Sequence, residues 1–150
     1  MAAVRFGYSV SSPAFADLLN RARQPFNVNS LAMAAVMAAL EDDDYVAQSI
    51  ALNRAGMKQM TEGLIALGYD FIPSAGNFVA FDCGESGGDL FQRMLKEGVI
   101  VRAIAEYGLP NHVRVSIGLA AENERFLAVL GKVGANAAGS GAGNKNAPGS

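Results

Sequence analysis

Apolar positions recur along the chain with two periods, one helical and one extended, and the changes between them divide it into elements. Val4 to Val10, VRFGYSV, predicts a short strand. Ser12-Pro13 then supplies an N-cap followed by proline at the first helical position, where its missing N–H costs nothing. The helix that follows carries Phe15, Leu18 and Leu19 and stops before Pro25. After the loop QPFNVN comes the longest apolar run, Leu31 to Leu40, LAMAAVMAAL, rich in Ala and expected to be a core helix. The acidic cluster at 41–44 suits the positive end of the next helix. On that helix Val46, Ile50, Met57, Met60, Leu64 and Leu67 form one stripe, with Asn53 in the remaining slot and Gly68 as the C-cap. Met57 and Met60 read as core fillers rather than ligands.

The second half mixes both periods. Tyr69 to Ile72 and Asn77 to Asp82 predict strands around the turn Pro73-Ser74-Ala75-Gly76. Gly87-Gly88-Asp89 opens a helix carrying Leu90, Phe91, Met94 and Leu95, and Gly98 ends it. Val99 to Ile104, VIVRAI, and His112 to Ile117, HVRVSI, are the clearest strands. Glu122 and Glu124 start a last helix with Phe126, Val129, Leu130 and Val133 on one side. Residues 134–150 are Gly-, Ala-, Asn- and Ser-rich and are expected to be a disordered tail. No internal repeat is found. The expected class is α+β, with helices sandwiched on a small, mainly antiparallel sheet.

Composition narrows the function classes. The 150 residues suit one domain of ordinary size rather than a large multidomain enzyme. Twelve basic against fourteen acidic residues give a net charge of −2, which offers no bulk attraction for nucleic acid or an anionic membrane. The run LAMAAVMAAL has half the length a bilayer span needs, and the first ten residues lack the pattern of a secretory signal. One cysteine, Cys83, excludes an intrachain disulfide and suits a reducing cytoplasm. A cytoplasmic protein with no nucleic-acid or membrane partner is therefore expected.

Candidate chemistry concentrates in HVRVSI, where Val113, Val115 and Ile117 alternate with His112, Arg114 and Ser116. An arginine held in mid-strand can clamp a carboxylate or phosphate bidentately; equally, Arg114 can be a solvated residue on an open sheet face. Arg102 alternates onto a face of its own strand, and if the two strands pair with that face in common, two guanidinium groups converge on one anion. His112, the single histidine, has no companions at metal-ligand spacing and reads as a strand-start residue; no metal is expected. Cys83 lacks a basic neighbour and reads as an inert thiol. Gly84 to Gly88 lacks the Lys-Ser/Thr ending of a phosphate loop and reads as a helix entry. The Asn77 amide either meets a ligand or satisfies its own turn.

Five segments together resemble the C-terminal part of the pyridoxal-phosphate-dependent aminotransferases of fold type I, most closely the histidinol-phosphate aminotransferases. They are VRFGYSV, LLNRARQPFNVNSLA, PSAGNFVAFD, GVIVRAIAEYGLPNHVRVSIG and ENERFLAVL, in the family's order across about residues 4–133. The resemblance implies that Arg114 grips the substrate's carboxylate or equivalent anion and that Arg102 lies near its anionic end. It places Asn77 and Tyr107 where the family's small domain closes over the substrate, and Arg5 on the cofactor phosphate. Residues 1–11 would be a remnant strand of the large cofactor domain and 12–133 the small domain. The family's Ser-Lys motif before the segment of Arg5 is replaced by Met-Ala-Ala-Val, and Lys58, Lys96, Lys132 and Lys145 stand in other contexts. With the Schiff-base lysine absent, no catalytic residue is assigned, and this chain alone is expected neither to hold pyridoxal phosphate nor to transaminate.

Three readings follow. In the first, the chain is the small domain of an aminotransferase acting on an amino-acid or amino-alcohol phosphate and 2-oxoglutarate, in amino-acid biosynthesis of the histidine type. In the second, it is a non-catalytic stand-alone domain that binds a ligand or self-associates, for instance as a homodimer, through apolar surface that a large domain would cover. A misassigned start at Met1 is a third.

Overall fold

The structure, a computed structural model, describes residues 4–135. The expected tail at 134–150 therefore lies almost wholly outside the described residues. The chain divides into two compact units, Met1–Gln48 and Ser49–Ser150.

The first unit holds α1 (Pro13–Ala22), α2 (Ser30–Leu40) and the opening turns of α3 (Asp43–Ala66). Pro13 takes the first helical position of α1 as the sequence predicts. Asn29 caps α2 by accepting from the Ala32 amide at 2.8 Å, and Asp42 accepts from the Tyr45 amide at the head of α3. Residues 5–10 form no strand, against expectation. Arg5 has φ 54, a left-handed conformation that breaks an extended run. The core-helix reading of LAMAAVMAAL is also corrected. Within its unit only Ala32 of α2 is buried, while Leu31 is 81% and Met37 59% exposed. Two short helices and the opening turns of a third offer too little partner surface to cover an apolar stretch.

The second unit holds the rest of α3, β1 (Phe71–Ile72), β2 (Phe78–Asp82), α4 (Gly87–Lys96), β3 (Arg102–Ile104), a 3-10 turn (Ala105–Tyr107), β4 (Leu109–Ser116) and α5 (Ala120–Val133). The expected α+β class holds: helices pack on a four-stranded sheet of order β1-β2-β4-β3 in which every pairing is antiparallel. Alternation sends Val79 and Phe81 of β2 and Val113 and Val115 of β4 to the inner face. There they meet Met60 and Leu64 of α3, Leu90 and Met94 of α4, and Phe126 and Leu130 of α5. Met60 is fully buried and Met57 packs beside it, as core fillers should. The stripe on α3 is divided: Val46 and Ile50 are exposed, and only its C-terminal half enters the core.

The third strand is shorter than VIVRAI suggests. Gly98 has φ 75, and the Val99 amide donates back to the Met94 carbonyl of α4 at 3.0 Å. The backbone thus completes the exit from the helix before a ladder can begin, although Val99 and Val101 are buried. No described helix is long and apolar enough to cross a membrane.

Candidate functional site: an arginine pair on the outer sheet face

With the valines turned inward, residues of opposite parity line the outer face. The register aligns Ile72 with Ala80, Ala80 with Arg114, and Arg114 with Arg102, one row across the whole sheet. Arg102 and Arg114 are direct cross-strand partners, so the face they share is the one the alternation required. Ala80, small and buried, leaves room beside Arg114. On β2 the Phe78 ring lies under the Arg114 guanidinium, 4.9 Å from carbon to centroid. Such stacking fixes the plane of a guanidinium while leaving its N–H groups available.

Arg102 is held from the turn that follows its strand. The 3-10 turn, closed by Gly108 at φ 78, brings Glu106 back to accept from Arg102 Nη2 at 2.8 Å. It also sets the Tyr107 ring 5.9 Å from the Arg102 guanidinium carbon. The hydrogen bond to Glu106 raises the Arg102 pKa above its ordinary value. That bond likewise holds the Glu106 carboxyl below its ordinary range, with a smaller contribution from the Arg114 charge.

The sequence-predicted residues divide as follows. Arg102, Arg114 and Tyr107 come together on the outer face. Asn77 stands at the head of β2, exposed, and its main-chain carbonyl accepts from the Ile117 amide beyond the end of β4. Arg5 belongs to the first unit. Three contributors escaped sequence reading. Glu106 and Phe78 supply the counter-charge and the stacking platform. Asn53 donates to the Gly76 carbonyl at 3.1 Å and steadies the turn before Asn77. An i,i+4 spacing of Arg102 and Glu106 was the available signal, but it points to a pair only once a turn is known there.

The other reactive groups stay inside the scaffold. Cys83 is buried, its thiol donating to backbone carbonyls of Glu85 and Asn111, and burial raises its pKa. Arg93 pairs with Glu85 and donates to the Val133 carbonyl at the end of α5. Among the described residues no group of three or more His, Cys, Asp or Glu is placed to hold a metal ion.

The model of the class I and II aminotransferases matches residues 1–130. The chain belongs to that family. Among relatives of this aminotransferase chain, histidinol-phosphate aminotransferase 2 of Pseudomonas fluorescens is 59% identical over 137 residues, covering 91% of this chain and 37% of the relative. The enzyme of the same name from Pseudomonas aeruginosa is 59% identical over 133 residues, covering 89% of this chain and 36% of its own. The solved histidinol-phosphate aminotransferase of Sinorhizobium meliloti, in complex with pyridoxal-5'-phosphate, superposes with a TM-score of 0.74 at 29% identity, over 89% of this chain and 37% of that one. The expected likeness to histidinol-phosphate aminotransferases is thus borne out, and the aminotransferase chain spans a little over a third of the length of these relatives.

Lys58, Lys96 and Lys132 lie on α3, α4 and α5, the helices of the inner face, and two of them are paired, Lys58 with Glu62 and Lys132 with Glu97. No amine of theirs stands on the face that carries the arginines.

Proposed function

We propose that this chain is the substrate-gripping small domain of an aminotransferase of the histidinol-phosphate kind. Residues 12–133 correspond to that domain and 1–11 lead from the cofactor domain. The reaction of the whole enzyme is amino transfer between an amino-acid or amino-alcohol phosphate and 2-oxoglutarate, with pyridoxal phosphate supplying the bond-breaking chemistry and a lysine outside this chain carrying it. The observation that carries the reading is the direct pairing of Arg102 with Arg114 on the outer face. Two guanidinium groups on adjacent strands, each lying against an aromatic ring, form a preorganised clamp for a phosphate or carboxylate. Tyr107 and Asn77 border the bound substrate, and Arg5 serves the cofactor phosphate in the whole enzyme.

Titration of the 150-residue chain with inorganic phosphate, followed by calorimetry or arginine side-chain NMR, tests the clamp. Wild type binds, and Arg114→Ala loses at least about tenfold in affinity, the value of a charge-assisted pair. Equal affinity in the two proteins would remove the assignment.

A further inference from the structure

We propose that Glu106 is a displaceable internal anion of the clamp, occupying Arg102 when no ligand is bound and competing with the ligand for it. The proposal rests on the reading of Arg102 and Arg114 as an anion clamp and adds to it a residue that sets ligand affinity. Two like charges directly opposed on neighbouring strands destabilise a sheet. The Arg102–Arg114 register creates that opposition, and the 3-10 turn folds a carboxylate back onto it. Glu106 Oε1 lies 2.8 Å from Arg102 Nη2.

Three observations separate this role from simple positioning. Each guanidinium already has an aromatic support, Tyr107 under Arg102 and Phe78 under Arg114, so neither depends on Glu106 alone for its place. The ion pair is open to solvent, its side chains 52% and 50% exposed, and a pair of this kind is held weakly enough for an incoming anion to replace it. Glu106 is also the middle residue of the three-residue turn that Gly108 closes, so its carboxylate can leave Arg102 by side-chain rotation with no ladder bond broken. Ligand entry then exchanges one anion for another at Arg102, and the returning carboxylate favours release.

The test uses the full 150-residue chain at low ionic strength with inorganic phosphate as the probe. Glu106→Gln binds phosphate about two- to fivefold more tightly than wild type, the range of an exposed ion pair. Glu106→Ala, lacking the amide as well, shows the same gain. In an Arg102→Ala background Glu106→Gln changes affinity much less, because its competitor has gone. Without ligand, Glu106→Gln melts below wild type in dilute chloride, and phosphate raises its melting temperature by more than it raises that of wild type, an excess that a purely structural residue would not show. Unchanged or weakened phosphate affinity in Glu106→Gln overturns the proposal. If wild-type binding is at the same time lost in Arg114→Ala, the clamp itself stands. No phosphate binding by wild type or Glu106→Gln overturns both.

Discussion

Asn123, only 2% exposed, is the one buried polar or charged residue in the described core, and its replacement should cost more than any single hydrogen bond. Its Oδ1 accepts from the Gly118 amide at 2.9 Å, and its Nδ2 donates to Gln59 Oε1 at 3.1 Å and to the Gly118 carbonyl at 3.2 Å. One amide thus ties α3, the start of α5 and the segment that leaves β4 two residues after Ser116. Asn123→Leu nearly conserves volume but leaves both main-chain groups of Gly118 without partners. Gln59 also donates to the Ala120 carbonyl and can turn its own oxygen outward, so its loss counts little. An orphaned buried group costs roughly 1–3 kcal/mol. Two of them, partly relieved by water at the half-buried Gly118, give about 2–4 kcal/mol. With a urea slope of about 2 kcal/mol per molar, the midpoint should fall by about 1–2 M. Equilibrium urea unfolding followed by circular dichroism measures this, and hydrogen exchange should show the Gly118 amide losing protection ahead of the Val113 and Val115 amides. A midpoint within about 0.25 M of wild type would refute the reasoning, because it would mean that Gly118 finds other partners at no cost.

The remaining predictions concern a close approach and a titration. A Cβ on Gly87 would stand 2.6 Å from the His112 carbonyl oxygen, so Gly87→Ala should destabilise by about 1–3 kcal/mol despite its better helix propensity. Gly88→Ala meets only Ser86 Oγ at 3.6 Å and should melt at or above the wild-type temperature; equal melting of the two variants would contradict the packing. Because Arg102 lowers the Glu106 pKa in the folded state, the pair's contribution is complete above the ordinary carboxylate value, about 4.3, and is lost as pH falls through the lower folded value. Carboxyl carbon NMR should place the Glu106 midpoint below that value and return it toward the ordinary range in Arg102→Ala.

Several of these features were readable along the chain, and others needed the third dimension. Caps and breakers acted locally: Pro13 opens α1, Asn29 caps α2 and Gly68 with φ 76 follows α3. Alternation in HVRVSI fixed which face of β4 is apolar, because a two-residue period follows from the pleat itself. What alternation could not fix was register, and a slip of one residue would have set Arg102 on the opposite face from Arg114. The Val4 to Val10 segment shows the opposite failure, since a run that reads as a strand is interrupted by the left-handed backbone of Arg5. Glu106 lay hidden because a three-residue turn has no period to detect. Asn53, a polar residue within a helical stripe, looked like a gap in a pattern and proved to hold loop backbone, and Asn123, which no periodicity marks, does the same at Gly118.

The order of the strands has a further consequence. The two longest strands, β2 and β4, lie in the interior, while the edges are β1 with two residues and β3 with three. The outer edge strand carries Arg102, and its ladder breaks in a bulge between Ala103 and Ile104. Short, charged and irregular edges are poor templates for an incoming strand from another molecule. The sheet that carries the arginines is therefore a poor seed for cross-β growth, and any self-association of this chain should begin from its exposed helical surface and retain native secondary structure.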